Sequence, residues 1–496
     1  MTALRRIVIV GEDCNAWLAA ASLKRAFGRQ GLEVIVLVSE RPAQAAIGRW
    51  TLPSLRGLHS LLGINEVEFV CRTNATFKLA SEHRGWQHIS SRYLHVHGDI
   101  GVQLGGLPFY KYLLFRAVQG QAESPEAYSL GAIAARMGRF ARPTRRKPLA
   151  DSFTYAFHVD ETLLTAYLRE HAAALGVATR CGQVAEIAYA EDGTITALIL
   201  GSGEQLAGDF FIDCSGREAV LMSRISSTAW EDWRAWLPND RALSVRIPAV
   251  AEPRPVTETI ARSTGWIWRF PLAQSAVAGY VYCSALLSDA QAFDELAQLV
   301  SVDDGETAVQ RFSQGRRQEF WTRNCLAIGE TAVQLEPLLG ANLHLAQIGI
   351  GMFIELFPVT SSCRLEAIEY NRFMCEQADS LRDFTIAHYR VGTTITGDYW
   401  QAIQAAPLPA RLQQKLDLYL ATSRIHLFDN ETFDEVDWAW VLLGSGCVPD
   451  QVGVHERSVL ARVNGEQVAV LKAQIERLAA SMPRHVDFVQ QHHKRA

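Results

Sequence analysis

Cysteine pairs at metal-binding spacing are missing from this sequence. Nine cysteines are spread over 496 residues without one Cys-x-x-Cys, and the count is odd. That argues against structural zinc and against a disulfide framework. Long apolar runs are missing too. None approaches the ~20 residues needed to cross a bilayer, so no membrane span is expected. The first ten residues hold two arginines and a four-residue apolar run, too short for a signal peptide, so a cytoplasmic location is expected. Nor is there an excess of positive charge. Lys and Arg total 48 against 53 Asp and Glu, a net charge of −5 that disfavours a nucleic-acid or anionic-membrane partner. Internal repeats, low-complexity segments, H-E-x-x-H, G-x-S-x-G and P-loop motifs are all absent.

The chain that remains is 48% apolar and 20% charged, an ordinary globular composition long enough for two to four folding units. It opens as strand, turn, helix, strand. Ile7 to Val10 is a continuous apolar run, Gly11 breaks it, Trp17 to Phe27 has helical spacing, and Val34 to Val38 is a second apolar run. This βαβ opening places a nucleotide at the carboxyl end of the first strand. Further α/β-type segments follow: a strand over 153–160, a helix over 161–175, strands at 195–200 and 209–213, and Asn324 through Gly329 to a helix near 347–357. The stretch 228–314 is richer in strand signals and aromatics. After about residue 385 the chain reads as mostly helical, ending on a face of Val468, Leu471, Ile475, Leu478 and Met482 before Pro483. Arg142, Arg145, Arg146 and Lys147, interrupted by prolines, read as a solvated loop.

The phosphate turn departs from G-x-G-x-x-G. It reads Gly11-Glu-Asp13-Cys-Asn-Ala16-Trp17, with only the first glycine retained. Ala16 is tolerable at a helix-packing position, but Asp13 sets a carboxylate where a pyrophosphate would lie. Glu40, after the second strand, suits an adenosine ribose. On these residues a dinucleotide site and a plain βαβ turn both stay open. His95 and His97 share a strand face without a third ligand nearby, so solvent-facing histidines and no metal are expected.

Several segments, in order, resemble the flavin-dependent halogenases that act on tryptophan. They include Thr73-Asn-Ala-Thr-Phe-Lys78, Gly106-Leu-Pro-Phe-Tyr110, Tyr155-Ala-Phe-His-Val-Asp160, Phe211-Ile-Asp-Cys-Ser-Gly216 and Trp230-Glu-Asp-Trp233. Gly265-Trp266-Ile-Trp268-Arg-Phe-Pro271 is similar to the family's G-W-x-W-x-x-P signature, and Leu335-Glu-Pro-Leu338 continues the series. The resemblance implies an α/β, flavin-monooxygenase-like FAD fold with interrupted Rossmann-type segments. Its FAD module would span 1–385, with a β-rich insertion at about 228–314, and a mostly helical substrate module would span 386–496.

It also implies a chemistry. Reduced FAD from a separate reductase, oxygen and a halide give a hypohalous acid, which crosses an internal tunnel to a lysine facing an electron-rich ring such as indole or tryptophan. The matching lysine is Lys78. Between Phe77 and Leu79 in a strand, it would face away from both. On the residues alone it reads as an exposed strand lysine; the resemblance instead points it into an apolar cavity, where an amine loses its proton readily. The tunnel wall would be Trp266, Trp268 and Pro271. The cofactor would be held by Gly11, Ala16, Trp17, Glu40, Gly48, Arg49, Val184, Gly329 and Leu343. The amides of Ala341 and Asn342 would take the halide, and Phe109, Trp438 and Trp440 would meet a small aromatic substrate. A homodimer is compatible with this reading.

The sequence departs from the family at both sites. Glu-Ser-Thr after the Glu-Pro-Leu is replaced by Leu339-Gly340-Ala341, and a loop glycine and glutamate are replaced by Ala46 and Arg49. Without the carboxylate and the hydroxyls, bromide is expected to be preferred over chloride. A halogenase-like binding protein and a flavin-dependent hydroxylase remain alternatives.

Overall fold

The structure, a computed structural model, describes residues 4–40, 46–144, 148–225, 229–302, 306–358 and 363–493. Arg145, Arg146 and Lys147 of the basic cluster lie outside these. The chain forms two compact units and passes between them after Thr73, His158, Arg234, Thr307 and Asp379. This division differs from a single break after 385. The second unit gathers 74–158 and 235–307 with the C-terminal helices. The cause is a strand pairing remote in sequence, Val256–Arg262 beside Ala80–Arg84.

The first unit is built on a sheet in the order Trp321–Thr322, Cys325–Ala327, Phe210–Asp213, Arg6–Val10, Glu33–Val38, Ala178–Cys181. All its pairings are parallel except the edge strand Trp321–Thr322. Ile7 to Val10 are buried, as a run covered on both faces must be. The helix Cys14–Phe27 buries ten consecutive residues from Cys14 to Leu23 and packs on the helices Glu161–Ala174 and Asn342–Glu355. Asp213 ends its strand as a hub. Its carboxylate accepts from the amides of Ser215, Leu221 and Met222, which fixes the turn of the Asp-Cys-Ser-Gly segment.

The second unit holds a sheet in which Arg241–Ile247, Ala276–Tyr282, Gly265–Pro271, Val256–Arg262, Ala80–Arg84 and Arg92–Val96 lie side by side. Glu82 is fully buried in it, surrounded by Arg84, Arg92, Arg136 and Arg254. Burial alone would raise its pKa, but Arg254, Arg136 and Arg84 overrule it and hold the carboxyl at about 2. The C-terminal stretch is helical as expected, in six helices among the described residues from Asp398–Ala405 to His485–His493.

Candidate functional site

Lys78 ends the short strand Thr76–Lys78, which pairs antiparallel with Ala156–Asp160, so that Thr76 faces His158 and Lys78 faces Ala156. Alternation sends Phe77 to one side, into an aromatic cluster with Phe140, Tyr155 and Phe488. Lys78 goes to the other side and is fully buried. The exposed-lysine reading is thereby corrected: tertiary packing overrides the usual preference of lysine for water. Its Nζ lies 2.9 Å from Nε2 of His97. No carboxylate lies within ion-pair distance of it among the described residues. Burial therefore lowers its pKa from 10.5 to about 7.

His97 and His95 are buried as well, which corrects the expectation that they face solvent. The amide of His97 donates to Leu79 O at 2.9 Å and its carbonyl accepts from Thr154 N at 2.7 Å, so the ring is fixed beside Lys78. Burial first, then the charge on Lys78 and the neighbours His95 and His158, hold the His97 imidazole well below its ordinary pKa. The Thr76 hydroxyl donates to Pro271 O at 2.7 Å, which ties the lysine strand to the end of the tryptophan strand. That leaves the Thr76 oxygen to accept from His158 Nδ1 at 3.1 Å, so the proton sits on Nδ1 and Nε2 accepts from the Thr257 hydroxyl at 2.9 Å.

The sequence pattern does not mark His97 as the partner of Lys78; the pairing of two strands brings it there. The strand register sets Arg84 opposite Arg92 and Ala80 opposite Val96. Continued one step, it sets Leu79 opposite His97.

Trp266 and Trp268 lie on the strand Gly265–Pro271, both buried, with ring centroids 5.7 Å apart. Gly279 makes room for Trp268: a Cβ there would lie 2.0 Å from the indole ring. Phe109 packs on Tyr128 with centroids 4.7 Å apart. Trp438 and Trp440 are buried on the helix Glu435–Gly444, and their indole N–H groups donate to Glu431 and to Gly98 O. All these candidates belong to the second unit.

The cofactor and halide candidates all belong to the first unit. Gly11 has φ +147°, and a Cβ on it would lie 2.4 Å from Cys214 O, so close backbone approach requires glycine there. Ala16 and Trp17 are buried in the helix, and the Trp17 indole donates to Glu12 O at 3.0 Å. Glu40 is exposed. Gly48 and Arg49 lie on the strand Gly48–Trp50, and Arg49 forms a two-pronged ion pair with buried Glu161, with Nη2 2.6 Å from Oε1. Val184 begins the strand Val184–Tyr189. Gly329, at φ +71°, would bring a Cβ 2.8 Å from Asn15 Nδ2. Leu343 is buried in the helix Asn342–Glu355, which Ala341 precedes as N-cap, and the Asn342 amide side chain donates to Leu335 O at 3.0 Å. Glu336 is buried, exchanging two hydrogen bonds with Gln314.

FAD needs free amides at the head of the first helix to meet its pyrophosphate. Here Asp13 is the N-cap, and one of its carboxylate oxygens accepts from the amides of Asn15 and Ala16, each at 3.0 Å. Loss of water raises the pKa of this carboxyl, while the Ala16 bond and the charge of Arg49 oppose the rise. A pyrophosphate and an ionised Asp13 compete for the same donors. The cap therefore weakens a dinucleotide at the phosphate end without closing the site.

A mainly parallel sheet with a glycine turn after its first strand is an α/β architecture of the nucleotide-binding kind, and the same chain buries a lysine and a pair of tryptophans. The sequence profile of the tryptophan halogenase family matches residues 6–459, and the chain belongs to that family. It is similar over 99% of both chains to BrvH, a flavin-dependent halogenase from Brevundimonas sp. BAL3, at 32% identity and TM-score 0.92. Xcc4156, a flavin-dependent halogenase from Xanthomonas campestris, gives 30% identity, 99% of both chains and TM-score 0.92. The tryptophan 7-halogenase KtzQ of Kutzneria sp. is 29% identical, over 86% of this chain and 83% of that protein. No described helix is long and apolar enough to cross a membrane.

Proposed function

We propose that this protein halogenates an electron-rich aromatic ring such as an indole, with Lys78 as the group that activates the halogen. The observation that carries the reading is the burial of Lys78 without a carboxylate partner among the described residues, which leaves a large share of the amine neutral near pH 7. Reduced FAD, oxygen and halide supply the hypohalous acid in this reading, and a separate reductase supplies the reduced flavin. The neutral amine then holds the acid by a hydrogen bond or takes its halogen. In the second case the N–X bond forms, the X–O bond breaks, and the departing hydroxide leaves as water with a proton from the amine. Transfer of X to the ring carbon returns the ring proton to nitrogen. The amides of Ala341 and Asn342 are the proposed halide donors, and Trp266, Trp268 and Pro271 the proposed tunnel wall.

Leu339 supplies no carboxylate for the ring intermediate, help that is worth ~100-fold or more. Slow turnover on tryptophan and faster turnover on activated indoles or phenols follow, with bromide ahead of chloride. The test is product mass across a panel of rings, with each halide, for wild type and Leu339→Glu. A gain on tryptophan in Leu339→Glu supports the reading. No halogenated product from any ring in flavin-loaded protein refutes it. Asp13 favours a second reading, a binding protein of this fold that has lost flavin. Complete failure to bind FAD at millimolar concentration would sink the flavin-dependent reading and favour this one.

A further inference from the structure

Lys78 is fully buried, so at rest its amine has no exposed surface from which to exchange protons with bulk water. Its one hydrogen-bond partner among the described residues is His97 Nε2 at 2.9 Å. The other ring nitrogen of His97, Nδ1, has no protein partner among the described residues, and His97 retains 7% exposure where Lys78 has none. One imidazole thus has the amine on one nitrogen and an open position on the other.

We propose that His97 is the proton conduit of Lys78, receiving a proton from the ammonium on Nε2 and releasing one from Nδ1 to water. The inference rests on the reading of Lys78 as the halogen-activating residue. In the step, an Nζ–H bond breaks and its electron pair stays on the amine. An Nε2–H bond forms, the Nδ1–H bond breaks, and water takes that proton. The imidazole ends neutral in its other tautomer, ready for the reverse transfer when the amine is refilled.

The surroundings favour a relay over a fixed charge. The neighbouring strands contribute His83, His95 and His158, and the helix Arg364–Arg390 contributes His388 close to His83 and His95. The helix Glu435–Gly444 contributes Asp437, which is 3.0 Å from His95 Nε2. Glu82 is held among its arginines. Both nitrogens of His158 are already bonded to threonine hydroxyls. Burial holds the His97 imidazole neutral at rest, the form that can take a proton.

The experiment compares wild type, Lys78→Ala, His97→Ala and His97→Gln in the full chain. Glutamine keeps a hydrogen-bond acceptor but cannot pass a proton. The expected result is a loss of about 100-fold in kcat for both His97 variants, with KM unchanged. Added imidazole should restore His97→Ala in proportion to its free-base form. In the flavin-free protein, exchange of the Lys78 Nζ protons with water, followed by 15N NMR, should be about tenfold slower in His97→Gln than in wild type. If His97→Gln matches wild type in rate and exchange, the ring only holds the lysine and the conduit is overturned. If Lys78→Ala still halogenates, the reading of Lys78 itself fails. An inactive Lys78→Ala beside fully active His97 variants sinks the conduit alone.

Discussion

The amine of Lys78 and the imidazole of His97 meet at 2.9 Å in a region where both side chains are buried and, among the described residues, no carboxylate pairs with the lysine. A charge placed there is costly to the fold, and the cost depends on pH. The lysine's pKa falls from 10.5 to about 7 on folding. Below pH 7 it is charged in both states and folding bears the whole penalty. Between 7 and 10.5 the folded amine is neutral and the penalty shrinks, and above 10.5 it is gone. Lys78→Met should therefore be more stable than wild type, on the order of 3–5 kcal/mol at pH 6, with the gain fading toward pH 10. Denaturant unfolding at both pH values checks this; a pH-independent difference contradicts it.

Asp13 caps the first helix with its carboxylate, so charge and cap can be separated. Asn is as good an N-cap as Asp. Asp13→Asn should keep the melting temperature while tightening FAD binding by about tenfold, the effect of removing one like-charge contact of ~1.4 kcal/mol. As-purified wild type should be largely free of flavin. Fluorescence titration with FAD reads the affinity, and equal affinities would show that Asp13 does not oppose the cofactor.

Gly340 sits at φ +66°, and a Cβ on it would meet the Trp50 indole at 2.3 Å. Restoring the family's serine by Gly340→Ser should therefore lower stability by about 1–3 kcal/mol and give no gain in chloride use. Thermal unfolding and the chloride-to-bromide product ratio measure the two effects. A stable variant with improved chlorination would mean the turn adapts to a hydroxyl.

The parallel sheet was legible because its strands are continuous apolar runs. Arg6–Val10 and Glu33–Val38 lie within a residue of where the pattern puts them, and the strand Ile195–Leu200 lies on the expected residues. What pattern reading could not supply was the surroundings of Lys78. Burial of a lysine and two histidines runs against the preference of each residue for water. It is imposed by two pairings, Thr76–Lys78 with Ala156–Asp160 and Ala80–Arg84 with Arg92–Val96. Asp13 illustrates the reverse case. The sequence marked it as a misfit for a phosphate, and only its bonds to Asn15 and Ala16 reveal the cap. Trp438 and Trp440 are legible as aromatics, but the bonds of their indole N–H groups to Glu431 and Gly98 O are not.

In the proposed reaction Lys78 activates the halogen for attack by the ring. The most direct measurement is brominated product by mass, with FAD, a flavin reductase, oxygen and bromide, for wild type and Lys78→Ala on an activated indole. Product is expected from wild type alone, with equal oxidation of reduced flavin in both. Equal product from the two proteins would contradict it, because the bromination would then come from hypobromous acid free in solution.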